Sequence, residues 1–93
     1  MRIARVIGTI WATRKEEKLN GLKLLVVQPL NALDESHDGP PLVAADIIGA
    51  GVSEKVLIVS GSSARGAAGD NSIPVDATVV GIIDDQEIDM SLV

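Results

Sequence analysis

Three groups of residues have types suited to chemistry: a serine-rich turn, a single histidine and a run of acids. Gly61-Ser62-Ser63-Ala64-Arg65-Gly66 has the small residues and the arginine of a loop that cradles an anion on backbone N–H groups before a helix. It lacks the Lys-Ser/Thr end that completes a P-loop. His37 is the only histidine, and it lies far from any serine with the context of a nucleophile, so a nucleophile-base-orienter triad has no support. It reads as a solvated loop residue. Asp84, Asp85, Glu87 and Asp89 offer hard oxygen ligands without the spaced loop that wraps calcium. They read as a charged edge that discourages strand pairing. No catalytic residue, metal site or cofactor is expected, and the chain does not read as an enzyme.

Small apolar segments must position these residues. The chain has 93 residues and reads as one domain over 1–93, small enough to bury only about 60–65% of the surface its unfolded form exposes. Yet 46% of it is apolar, almost all aliphatic, with Trp11 the sole aromatic. Trp11 is expected to fill a gap in the core or at an interface rather than to stack a ligand. The net charge of -5 opposes phosphate backbones and anionic membranes. The absence of cysteine removes disulfides and thiolate metal sites, in keeping with a reducing cytoplasm. No segment approaches the roughly 18 apolar residues of a membrane span, and charge interrupts the first apolar run.

Punctuation divides the chain into strands. Arg2 to Thr13 reads as the first. The charged stretch 14–18 leads to Asn20-Gly21, a dipeptide favoured in hairpin turns, and Leu22 to Leu30 is the second. A polar loop, Asp34 to Pro41, precedes strands over Leu42 to Ile48, Lys55 to Ser60 and Ala77 to Ile83. Between the last two, Ser62 to Ala68 reads as one helical turn, with Ser62 or Ser63 as cap and Gly66 and Gly69 limiting its length. The fold class is all-β, a small five-stranded barrel with one short helical turn. Gly49-Ala50-Gly51 and Gly61-Ser62-Ser63 would then lie at the ends of neighbouring strands and form a tightly packed rim.

The strands carry a stronger signal than their number. Leu24-Leu25-Val26-Val27, Val56-Leu57-Ile58-Val59 and Val79-Val80-Gly81-Ile82-Ile83 are apolar at both parities, so both faces call for burial. A small barrel covers only the inner face. The outer apolar positions are expected to meet another copy of the chain, unless a sandwich or a covering helix hides them. In the tail, Ile88, Met90 and Leu92 alternate with polar residues, and the tail is expected to pack on the barrel or on an adjacent subunit.

Gly8-Thr9-Ile10-Trp11-Ala12-Thr13, Leu19 with Gly21-Leu22-Lys23-Leu24-Leu25, Val43-Ala44-Ala45-Asp46 with Gly49-Ala50-Gly51, Gly61-Ser62-Ser63-Ala64-Arg65, and Pro74-Val75-Asp76-Ala77 running to Gly81-Ile82-Ile83-Asp84 occur in order over almost the whole chain. This series resembles the EutN/CcmL family, the vertex proteins of bacterial microcompartments and carboxysomes. One departure falls at Ser53, where the family commonly has a further glycine before the acid, here Glu54. The resemblance implies an OB-like barrel that assembles as a homopentameric ring and caps the fivefold corners of a cytoplasmic polyhedral shell, beside hexameric shell proteins. No nucleic acid or membrane partner is implied.

On this basis Gly49, Ala50, Gly51, Gly61, Ser62, Ser63, Ala64 and Arg65 are candidates for subunit contacts or loops near the ring axis. The alternative is that they only form tight turns. Arg65 either pairs with Asp46 or Asp76, within or between subunits, or stands solvated. Asp76 is expected to fix the start of the fifth strand through backbone hydrogen bonds. Two rival functions share the barrel. Single-stranded nucleic acid binding needs a basic groove and stacking aromatics, and the chain offers one tryptophan and a negative balance. A chaperonin lid needs a mobile loop with an apolar tip, whereas the loop from Asp34 to Pro41 is polar.

Overall fold

The structure, a computed structural model, describes residues 1–12 and 16–93. Its strands are β1 (Arg2–Ile10), β2 (Lys23–Pro29), β3 (Leu42–Asp46), β4 (Lys55–Ser60) and β5 (Ala77–Ile82), with one α-helix among the described residues, α1 (Ser62–Ala68), and short 3-10 turns at Glu17–Leu19 and Met90–Leu92. Alternate side chains of β1 and β4 bury toward the interior, while β2, β3 and β5 each carry a run of three buried residues. The strands form a closed barrel in the order β1-β2-β3-β5-β4, with β4 returning to β1. Every pairing is antiparallel except β3 with β5. The five-stranded all-β barrel is as expected. Thr13 and the basic residues Arg14 and Lys15 lie outside the described residues.

The composition suits this geometry. A barrel of so few strands has a narrow interior, and Ala4, Val6, Leu25, Val27, Ala44, Val56, Ile58, Ala77 and Val79 fill it with side chains no larger than leucine or isoleucine. Each fully buried Val, Leu or Ile contributes about 1.5–3 kcal/mol. Two irregularities bend the strands: the register slips by one residue at Ile7 in β1, and again where Leu57 and Ile58 meet β5.

Local chemistry sets the connections. Asn20 and Gly21 centre a turn closed by the Leu22 N–H to the Leu19 carbonyl, with Gly21 at φ +83°. Buried Gln28 donates to the carbonyls of Pro29 and Gly39, which ties the polar loop to β2. The cap of α1 is Gly61 rather than either serine; Ser62 and Ser63 are already helical. Gly61 sits at φ +64°, ψ −139°, a conformation essentially confined to glycine, and its N–H donates to the Asp76 carbonyl. The helix runs through Gly66 and stops at Gly69. Asp76 therefore does meet the Gly61 turn, but through its main chain, and its side chain is exposed.

The tail does not pack on its own barrel. The Ile83 N–H donates to the Lys55 carbonyl and the Gln86 amide donates to the Ala32 carbonyl. Beyond that point Ile88, Met90, Leu92 and Val93 are exposed, Leu92 to 83%.

Candidate functional site

The loop after β3 is organised by a carboxylate. Asp46 ends β3 with its side chain fully buried, and it accepts from the N–H groups of Ile48 (3.0 Å), Gly49 (3.1 Å) and Ala50 (2.9 Å). Such a short polar side chain folds the next residues into a turn around its own oxygens. The turn delivers Ala50 into the barrel core, where it is completely buried. Across the ladder Lys23 pairs with Asp46, its Nζ 3.8 Å from Oδ2 and 2.9 Å from the Ala50 carbonyl. Asp46 thus pairs with Lys23, and Arg65 takes part in no ion pair with Asp46 or Asp76 among the described residues.

A second carboxylate, not singled out from the sequence, closes the same loop. Glu54 Oε1 accepts from the Gly51 N–H at 2.6 Å, and a Cβ on Gly51 would stand 3.2 Å from that oxygen. Between them Ser53 adopts φ +79°, a left-handed backbone that an L-residue seldom takes and glycine takes readily. Hydrogen bonds lock it there: the Ser53 N–H donates to the Val6 carbonyl, the Val6 N–H donates to the Glu54 carbonyl, and Arg5 Nη1 donates to the Ser53 carbonyl. Asp46 stands three residues before Gly49, a spacing that suits a carboxylate folding the next turn around itself, whereas Glu54 follows its glycine and has no such signal.

The two glycine turns do not share a rim. One precedes β4 and the other follows it, and a six-residue strand spans about 20 Å. Nor are β3 and β4 neighbours, because β5 is inserted between them. Of the eight contact candidates, Ala50 and Ala64 are core residues with no side-chain surface to offer; the Ala64 carbonyl accepts from the buried Thr78 hydroxyl at 2.7 Å. Gly49, Gly61, Ser62 and Ser63 are exposed, and Gly51 and Arg65 are half-buried.

The charged groups form structural links. Lys55 Nζ meets Glu35 Oε1 at 2.6 Å, Arg5 lies 3.8 Å from the same carboxylate, and Lys55 also donates to Gln86. The hydrogen bond from Lys55, then its charge, holds the Glu35 carboxyl below its usual range, with a smaller effect from Arg5. This cluster joins the polar loop, β4 and the root of the tail. His37 is exposed and its backbone bridges to Leu30. Among the described residues, no cluster of three or more His, Cys, Asp or Glu is placed to hold a metal. Asp84, Asp85, Glu87 and Asp89 are exposed, and the Ser91 hydroxyl and N–H lower the pKa of Asp89. Trp11 is 91% exposed, so it is not a core residue.

The feature that stands out is the outer surface. Leu25 and Val27 point inward and bury, which turns Val26 outward, where its cross-strand partners are Gly8 and Val43. Val56 and Ile58 likewise bury, which turns Leu57 outward between Ile3 and Gly81. The helix packs on β4 and β5, with the Thr78 hydroxyl donating to the Ala64 carbonyl. Val43 is 45% exposed, and the groove beside Leu57, about 430 Å³ and lined by Met1, Ile3 and Leu30, is open to solvent.

A family model described as ethanolamine utilisation protein EutN/carboxysome matches residues 1–84. The carboxysome shell vertex protein CcmL of Synechocystis sp. is 47% identical over 88 residues, covering 90% of this chain and 83% of that protein. A solved ethanolamine utilization protein, EutN, superposes with a TM-score of 0.89 at 43% identity, covering 95% of this chain and 91% of its own. The pentameric microcompartment shell protein GrpN from Rhodospirillum rubrum superposes with a TM-score of 0.84 at 43% identity, over 95% of this chain and 99% of GrpN. With the barrel, the strand order and the sequence match in agreement, the chain belongs to the EutN/CcmL family.

Proposed function

We propose that this chain is a vertex protein of a bacterial microcompartment shell in the cytoplasm, five copies forming a ring that closes each corner. The observation that carries this reading is the superposition on pentameric GrpN over nearly the whole of both chains. The work is geometric rather than catalytic. Hexagonal tiles alone make a flat sheet, and a fivefold ring supplies the curvature that closes it. The ring's partners are further copies of itself within the ring and hexameric shell proteins around it. Apolar outer strands support association: Val43 is exposed beside half-buried Val26, and Leu57 is half-buried on the outward side of β4, apolar surface that a second copy would cover. The accessible turn residues Gly49, Gly51, Gly61, Ser62, Ser63 and Arg65 are candidates for contact between copies.

Sedimentation equilibrium on the purified chain tests this directly. The expected particle has five times the chain mass, and mixing it with hexameric shell proteins should convert sheets into closed bodies. A concentration-independent monomer would overturn the reading.

A further inference from the structure

The fold holds the chain's three asparagines in different ways. Asn31 is tied into the polar loop: its Oδ1 accepts from the Leu33 N–H at 2.8 Å, its N–H donates to the Ser36 carbonyl, and its carbonyl accepts from the Glu35 N–H. Asn71 is followed by Ser72, whose N–H donates to Asp70 Oδ1 at 2.7 Å. Asn20 is held far more loosely. It is exposed, with φ −61° and ψ 135°, and Gly21 follows at φ +83°, the dihedrals of a type II turn. Apart from its chain neighbours, no atom of the described residues lies within 4 Å of the place a Cβ on Gly21 would take. The turn is closed by the hydrogen bond from the Leu22 N–H to the Leu19 carbonyl, at 3.1 Å, and it lies beyond Ile10 and Leu24, the last pair of the β1–β2 ladder. Rotation about Asn20 therefore breaks no strand pairing among the described residues.

We propose that this turn is a site of spontaneous covalent modification, at which Asn20 loses its side-chain amide and becomes aspartate or isoaspartate while Asn31 and Asn71 are kept intact by the fold. Asparagine is among the thermolabile residues. The Gly21 nitrogen gives its proton to solvent base and attacks Asn20 Cγ. The new N–Cγ bond closes a cyclic imide, the Cγ–Nδ2 bond breaks, and Nδ2 takes up a proton and leaves as ammonia. Water then opens the ring. Cleavage of N–Cγ leaves an ordinary aspartate; cleavage of the original peptide C–N bond leaves the chain running through Cγ, with an extra carbon in the backbone and a free α-carboxylate. Glycine favours the attack because no Cβ shields its nitrogen and its backbone turns freely. After Asn31 the nitrogen belongs to Ala32, which carries a Cβ, and after Asn71 it is already engaged with Asp70. Either product adds one negative charge to the net −5, and the isoaspartyl form lengthens the connection that holds Leu22 to Leu19.

Trypsin places the asparagines on separate peptides, since Asn20 lies between Lys18 and Lys23, Asn31 between Lys23 and Lys55, and Asn71 beyond Arg65. The purified full chain, folded, is incubated in mildly alkaline buffer. A protein isoaspartyl methyltransferase with labelled S-adenosylmethionine, applied to the intact chain, reports the free α-carboxylate of isoaspartate, and mass spectrometry of the digest locates the change. Peptide 19–23 should convert progressively from amide to acid in two separable forms, one of which carries label, while the peptides of Asn31 and Asn71 keep their amides. Asn20→Gln should abolish the label, because the larger ring that glutamine must form closes far more slowly. A peptide 19–23 that keeps its amide overturns the proposal. Equal loss at all three asparagines in the folded chain overturns it as well, since the fold would then select none of them.

Discussion

Lys23 and Asp46 face each other across the β2–β3 ladder, their charged atoms 3.8 Å apart, at the point where β3 gives way to the loop that plugs the barrel with Ala50. The ion pair is the lesser half of the arrangement. A pair with one half-exposed partner is worth under about 1 kcal/mol, whereas hydrogen bonds to a charged acceptor are worth about 1.5–3 kcal/mol each. Asp46 accepts three of these from backbone N–H groups.

Asp46→Ala should therefore cost about 3 kcal/mol or more, since it strands N–H groups that include the buried Ala50 N–H. Lys23→Met should cost under about 1 kcal/mol. Urea unfolding at one fixed chain concentration compares them, and equal losses in the two variants would show that the ion pair dominates.

Ser53→Gly should stabilise the chain. A left-handed L-residue costs about 1–2 kcal/mol, and the extra backbone freedom of glycine in the unfolded chain returns about 0.5–1 kcal/mol of that. The expected net gain is about 0.5–1 kcal/mol, provided that the hydrogen bonds of the Ser53 backbone to Val6 and Arg5 persist. A fall in the thermal midpoint would contradict this account of the turn.

Ala50→Leu separates core from interface. Ala50 is completely buried within its own barrel, so overpacking there should cost about 1–3 kcal/mol of chain stability. The check is the unfolding free energy of the dissociated chain; unchanged folding with lost assembly would place Ala50 at a contact instead.

The Glu35–Lys55 pair predicts a pH dependence. Because the folded pKa of Glu35 lies below its ordinary 4.5, its contribution is fully present above that value and is lost as pH falls from 4.5 through the lowered value. The thermal midpoint of the parent should exceed that of Glu35→Gln at pH 6–7, and the gap should close with acidification, roughly below pH 4.5. A gap that stays constant with pH would show that the pairing does not act through this carboxylate.

Much of the barrel is legible from neighbouring residues. Apolar periodicity marks β2, β4 and β5, and Gly and Pro mark the breaks between strands. The same periodicity, read at both parities, exposes the outward rows at Val26 and Leu57. What escapes such reading is any relation across a crossover. Arg65 looks like the natural partner of Asp46, but the β2–β3 register gives that place to Lys23. Glu54 carries no motif and still closes the loop that holds Ser53.

By itself the sequence determined the strands, the turns, the twofold apolar character and the family, because each is written in side chains a few residues apart or in an ordered series of them. Only the tertiary structure decided that β5 enters between β3 and β4, that the two glycine turns stand at opposite ends of β4, and that Ala50 and Ala64 belong to the core. Those outcomes follow from which distant strands the closed barrel brings side by side. That choice depends on how the whole set of inward side chains fills one narrow interior, and no local window contains it.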